Sequence, residues 1–201
     1  MTTRPEPGSL AEHIARLTTL EAHAETIRGW HPTLVPGMLQ AEPYARAIIT
    51  SHAPALAPDN IAAHAAARLL RIDTLGQAAG RSARFVIAEE ALGQAVGGLA
   101  DLADQLDHML TVLALRPTMT VRILPAGGRE HPGLTGPFTL YRSDGGQAVF
   151  VETLMGSTII DQRERTLAYA LAWDHVEERA ATVADSLRMI QTARNRLAAA
   201  A

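Results

Sequence analysis

The stretch Val35-Pro36-Gly37-Met38-Leu39-Gln40-Ala41-Glu42-Pro43-Tyr44-Ala45-Arg46-Ala47 organises the reading of this chain. Proline fixes φ, and the glycine after it is expected to take a φ > 0 turn position. Pro43 suits a first helical turn, which tolerates a missing N–H, and Tyr44, Ala45 and Ile48 then continue at helical spacing. The segment therefore predicts a rigid corner running into a helix, with Gln40 and Tyr44 on one helix face, where they line a pocket or hydrogen-bond the corner itself.

Working outward, the first half reads as helix. Ile14, Leu17, Leu20, Ala24 and Ile27 share one apolar face, predicting a helix from Leu10 to about Ile27 that Gly29-Trp30-His31-Pro32 interrupts. Asp59 or Asn60 can cap a further helix reaching about Leu75, and Leu102, Leu106, Met109, Leu110 and Leu113 define another, closed by Arg116-Pro117. Strands are predicted at Ala83–Ala88, Thr120–Leu124, Phe138–Arg142, Ala148–Thr153 and Thr158–Asp161, with a hairpin at Ser143-Asp144-Gly145-Gly146. The C-terminal part reads as a long helical segment over about residues 162–197, in one or two pieces. The expected architecture is α+β: a small mixed sheet packed against several helices, with a core of Phe85, Ile87, Val121, Ile123, Phe138, Leu140, Val149 and Val151.

Composition narrows the chemistry. All 18 basic residues are arginine, so Schiff-base chemistry and a P-loop lysine are excluded. Cysteine is absent, which removes disulfides, a thiolate nucleophile and Cys-type zinc sites. A net charge of −3, with no basic run, argues against direct nucleic-acid binding through phosphates. No stretch approaches a membrane span and no signal-type leader is present, so the cytoplasm is expected. HExxH, GxSxG, GxGxxG with a following acid, and EF-hand spacing are all missing, and neither a metal nor another cofactor is expected.

Several polar groups remain as candidates. His64, Arg68 and Arg71 fall at helical spacing on one face, a stripe that binds an anionic ligand or pairs with Glu21, Glu42 or Glu89. Glu89 and Glu152 end predicted strands and could divide acid and base roles. His131 stands in a glycine-rich loop, residues 127–137, that reads as a ligand lid or a plain connector. Tyr141 adds a hydroxyl on a predicted strand.

The chain also resembles a known family. The corner segment, Glu21 with Ala24, Ala67-Arg68-Leu69-Leu70-Arg71, Val86-Ile87-Ala88-Glu89-Glu90-Ala91-Leu92, Val96-Gly97-Gly98, Gln105-Leu106, Arg116-Pro117 through Leu124-Pro125, His131-Pro132-Gly133-Leu134-Thr135-Gly136-Pro137-Phe138 and Val149-Phe150-Val151-Glu152 are similar to the motifs of a domain of unknown function. That domain forms the C-terminal part of actinobacterial WhiJ-type helix-turn-helix regulators; in this family Ile72 stands where glutamine is usual. The resemblance divides the chain into an N-terminal extension or partial helix, 1–18, and a single domain, 19–201. It implies a regulatory domain, expected to work without a DNA-binding module of its own, that binds a small molecule or a small partner protein, the latter because family members are also called antitoxin-like. A homodimer is also allowed. The ligand contacts expected are Gln40, Tyr44, Arg68, Arg71, Glu89, His131 and Tyr141. The alternative is a cofactor-independent enzyme, a cyclase or isomerase of a natural-product intermediate, using Glu89, His131, Glu152 and Tyr44.

Overall fold

The computed structural model describes residues 10–73, 80–127, 130–153 and 156–200. It is an α+β fold on a six-stranded mixed sheet. In chain order the elements are α1 (Leu10–His23), β1 (Thr26–His31), α2 (Glu42–His52), α3 (Pro58–Leu70), β2 (Ser82–Ala88), α4 (Leu99–Leu115), β3 (Met119–Leu124), β4 (Phe138–Ser143), β5 (Gly146–Thr153), β6 (Gly156–Ile160), α5 (Arg163–Arg179) and α6 (Val183–Ala200). Spatially the strands run β3-β2-β1-β4-β5-β6. β1 pairs parallel with β2 and β2 with β3, whereas β4 runs antiparallel to β1 and β4–β5–β6 form an antiparallel meander.

The strand at the centre of this order differs from the sequence expectation. The first helix ends at His23 rather than near Ile27, and Thr26–His31 forms β1. The apolar spacing that extended the helix to Ile27 is satisfied by a strand as well, because Ile27 is buried in the same core by either route. Thr26, Ile27 and Trp30 are residue types that fit a pleated surface, and ladders on both sides stabilise it. The predicted end of the third helix near Leu75 lies outside the described residues, with α3 closing at Leu70. The other strands and the hairpin stand where expected, and the C-terminal segment is two helices.

Strand alternation divides the core in two. Ile27, Phe85, Ile87, Val121, Ile123, Tyr141 and Phe150 face one side, under α1, α2, α4 and α6. Trp30, Val86, Phe138, Leu140 and Val149 face the other, against Trp173 and Val176 of α5. Val151, expected in the core, is only partly buried at the edge of this second cluster. On that outer face Arg84 pairs with Glu177 at 2.9 Å and Arg28 with Asp174 at 3.6 Å, holding α5 across the strands.

The corner is built differently from its expected turn. Gly37 does not have positive φ; Gly37–Leu39 is a short 3₁₀ turn, and Pro36 before it is extended. Glycine serves close approach there, since a Cβ would lie 3.3 Å from a terminal nitrogen of the Arg71 guanidinium, tighter than an ordinary contact. The turn is clamped from α4 by Gln105, whose side chain is fully buried. Its Oε1 accepts from the Ala41 N–H at 2.7 Å and its Nε2 donates to the Leu39 carbonyl at 2.7 Å. Replacing Gln105 with leucine strands both backbone groups away from water. At about 1–3 kcal/mol for each of the two unsatisfied groups, urea denaturation of Gln105→Leu should show a loss of roughly 2–6 kcal/mol.

Candidate functional site

A cavity of about 600 Å³ opens between the helical layer and the inner face of β1, β4 and β5. That volume falls in the range of small-molecule sites. The corner and α2 form one wall through Leu34, Met38, Ile48 and Ile49, and Ile27, Phe85 and Phe150 form the apolar floor. Polar groups converge on it from separate elements: Glu21 from α1, Arg68 from α3, Arg71 just beyond it, His31 from β1, Thr139 and Tyr141 from β4, and Glu152 from β5.

Two of these form a buried ion pair. Arg71 Nε donates to Glu21 Oε2 at 2.7 Å, and a second, shorter bond joins a terminal nitrogen of Arg71 to Glu21 Oε1. Glu21 is 1% exposed and Arg71 8%. Burial lowers the guanidinium pKa, and the hydrogen bonds and charge of Glu21 more than restore it, so that the net shift is upward. Arg71 was among the expected ligand contacts, and Glu21 was one of three carboxylates weighed as its partner; the structure selects Glu21.

Arg68 is arranged differently. One of its terminal nitrogens donates to Gln40 Oε1 at 2.9 Å, and among the described residues no carboxylate lies within ion-pair distance of it. Burial and then the neighbouring charge of Arg71 lower its pKa, while Glu152 and Glu21 act in the opposite sense from further away. Gln40 is itself fixed, because its Nε2 donates to the Val35 carbonyl at 2.7 Å. The amide is thus oriented at both ends, and it aims the guanidinium into the cavity.

Tyr141 is buried and hydrogen-bonded to Thr139; burial pushes its hydroxyl pKa upward, keeping it neutral. Glu152 lies at the exposed rim. The expected candidates Tyr44, Glu89 and His131 are not among the cavity-lining residues. Tyr44 is fully buried behind the corner, where its hydroxyl accepts from the Val35 N–H at 3.3 Å, and it lies in the core rather than beside Gln40 on a helix face. Glu89 accepts from the Ala126 N–H at 2.9 Å, tying the end of β2 to the turn after β3. His131 sits against the edge of Trp30, 5.4 Å between ring centroids, beside the outer core cluster. The four residues proposed for acid–base chemistry therefore do not meet; only Glu152 reaches the cavity. Among the described residues no three His, Asp or Glu side chains converge in a way that could hold a metal.

Several cavity residues escaped sequence reasoning as site residues, among them His31, His52 and Thr139, with Glu21 noted in another role. His31 stood in what looked like a helix break, and it caps the central strand with its Nε2 buried and unpartnered above Gly29. Glu21 entered the sequence reading as a pairing partner and as part of the family motif, not as a cavity residue. For Glu21 the signal was present: a carboxylate one position from Leu20 and three from Ala24, on the apolar side of α1.

Breaking the Glu21–Arg71 pair from one side leaves a buried charge uncompensated. Glu21→Ala should cost about 3–5 kcal/mol in chemical denaturation, whereas the double variant Glu21→Met/Arg71→Met should cost much less than the two single changes combined. His31 supplies a pH signature. Burial lowers its pKa from 6.5 to about 4, against a weaker opposing effect of Glu152. Between these values the unfolded chain binds a proton that the folded protein does not. Stability therefore rises with pH through this window and is lost as pH falls, by on the order of 3 kcal/mol. Denaturation measured from pH 7 to pH 4 should show a shallower decline in His31→Gln than in the natural protein.

A search of the curated proteins finds no match. A family model does: the one described as domain of unknown function (DUF5753) matches residues 14–192, from within α1 through most of α6, and so takes in the whole sheet and every wall of the cavity. The chain belongs to this family, the domain of unknown function DUF5753.

Proposed function

We propose that the chain is a regulatory domain that binds a small molecule in the cavity between its helices and its sheet. The observation that carries this reading is the cavity itself. It has ligand-scale volume, apolar walls, and a guanidinium held by an oriented amide with most of its donors uncommitted among the described residues. The regulatory part rests on the resemblance to the C-terminal part of helix-turn-helix regulators, and cytoplasmic action belongs to the same reading. Among the described residues no helix is long and apolar enough to cross a membrane.

Binding is favoured over catalysis by placement. Acid–base turnover needs a donor and an acceptor facing one reacting centre. Of Glu89, His131, Glu152 and Tyr44, only Glu152 faces the cavity; of the two histidines that line it, His31 is held neutral with its Nε2 sealed, and His52 has its Nδ1 against the Ile48 carbonyl of its own helix at 2.9 Å. A small partner protein is the other occupant that the resemblance suggests. A concave site of this depth fits a compact ligand better.

Leu34→Trp tests the reading, because Leu34 is half-buried on the cavity wall and a larger ring fills the space without disturbing the sheet. Native mass spectrometry after incubation with a natural-product extract should show a bound, chemically unchanged small molecule on the natural protein and none on Leu34→Trp. A released product of altered mass would replace the reading with the enzyme alternative. Capture of a small protein with no small molecule would replace it with partner binding.

A further inference from the structure

We infer that the cavity selects a monoanionic, carboxylate-bearing ligand with an apolar body, and that Arg68 is its anchor; this inference rests on the small-molecule reading above. The argument begins with how the two arginines divide. Arg71 is committed to Glu21 through two hydrogen bonds. Arg68 spends one terminal N–H on Gln40 Oε1, and a guanidinium carries five N–H donors in a planar fork. The edge that remains matches the two oxygens of a carboxylate.

The fork is also held in place before any ligand arrives. Val35 O fixes Gln40, Gln40 fixes Arg68, and the aliphatic stem of Arg68 passes under Gly37, whose missing side chain would lie 3.8 Å from Arg68 Cδ. Preorganisation of this kind lowers the ordering cost of binding. The half-buried setting strengthens a charge-assisted bond beyond its worth in water.

Charge balance decides between anions. Arg71 and Glu21 neutralise one another, so Arg68 presents one positive charge to the cavity, with Glu152 as the acidic side chain at the rim. One carboxylate is matched by Arg68. A phosphate monoester brings a second negative charge, for which the described lining holds no second arginine beyond Arg71, already paired with Glu21, and which approaches Glu152 at the rim. Beyond the anchor, Leu34, Met38, Ile48, Ile49, Phe85 and Phe150 supply apolar walls that favour a largely apolar body, with Thr139 and Tyr141 as polar points on the same lining.

The test uses matched probes. Decanoate and 2-naphthoate are titrated calorimetrically against the natural protein, beside their primary amides and decyl phosphate. At least one carboxylate is expected to bind tenfold or more tightly than its amide, and decanoate more tightly than decyl phosphate. Arg68→Met should lower carboxylate affinity tenfold or more and amide affinity by less, so that the difference between acid and amide collapses, and Arg68→Lys, which keeps charge without the fork, should fall between. Circular dichroism confirms that each variant is folded. Equal affinity for acid and amide, tighter binding of the phosphate, or no effect of Arg68→Met overturns the anchor while leaving the cavity as a binding site. Failure of all probes on the natural protein overturns the carboxylate class. In that case a mass retained in native spectra keeps the small-molecule reading alive, and an empty cavity there removes it too.

Discussion

The buried pair between Glu21 and Arg71 is the constraint on which the inner side of this molecule depends. It joins α1 to the end of α3 across an interior where a lone guanidinium would be prohibitively desolvated. With Arg71 anchored, the corner at Pro36-Gly37 packs against its planar head, and a side chain at position 37 would press on the guanidinium at 3.3 Å. The same pair decides the character of the cavity. Because Glu21 is fully engaged with Arg71, it leaves Arg68 without a carboxylate of its own. An interaction that contributes little net stability in exchange for its desolvation cost thereby sets both the shape and the charge of the site.

Around that pair the corner is built mainly by amides and a hydroxyl. Gln105 reads the backbone on either side of Gln40, Gln40 reads Val35, and Tyr44 receives the N–H of Val35. Each bond satisfies a backbone group that the short 3₁₀ turn would otherwise leave buried and unpaired. A helix or strand would have satisfied those groups internally and filled the space with side chains. The irregular corner leaves room for a cavity because its hydrogen bonds are supplied from α4 and from its own side chains. Gly29 contributes from below: a Cβ there would come within 2.8 Å of both His31 Nε2 and Phe85, so the floor of the site is shaped by a missing atom.

Much of the fold was legible because its signals are periodic. Leu102, Leu106 and Met109 mark α4 and are fully buried, and the β-branched runs of β3, β4 and β5 are strands in the structure. β1 was not legible as a strand, since Ile27 continues the apolar period of α1 and only pairing with β2 and β4 decides the matter. At the site, the sequence singles out Gln40, Arg68, Arg71, Tyr141 and Glu152, all of which line the cavity. It offers no means of knowing that His131 lies beside the outer core or that Tyr44 stands behind the corner, because local chemistry does not encode the face of a sheet. Gln105 was a readable exception: an amide within an apolar helical stripe has to find buried partners, and here they are the backbone of the corner.

The two faces of the sheet make the final point. The outer face also carries arginines, yet Arg84 and Arg28 meet Glu177 and Asp174 on α5, and Arg122 donates to the carbonyls of Ala180 and Ala181 at the end of that helix. Those cations serve to dock a helix, and their protein partners account for them. On the inner face Arg71 is accounted for in the same way. Arg68 is not, although burial and the charge of Arg71 make its position electrostatically unfavourable and Gln40 supplies only a neutral acceptor. A protein interior tolerates such a mismatch at a cost. Where the mismatch coincides with a preformed cavity and an amide that aims the charge into it, the guanidinium is placed to meet an anion, which is what the proposed binding site requires.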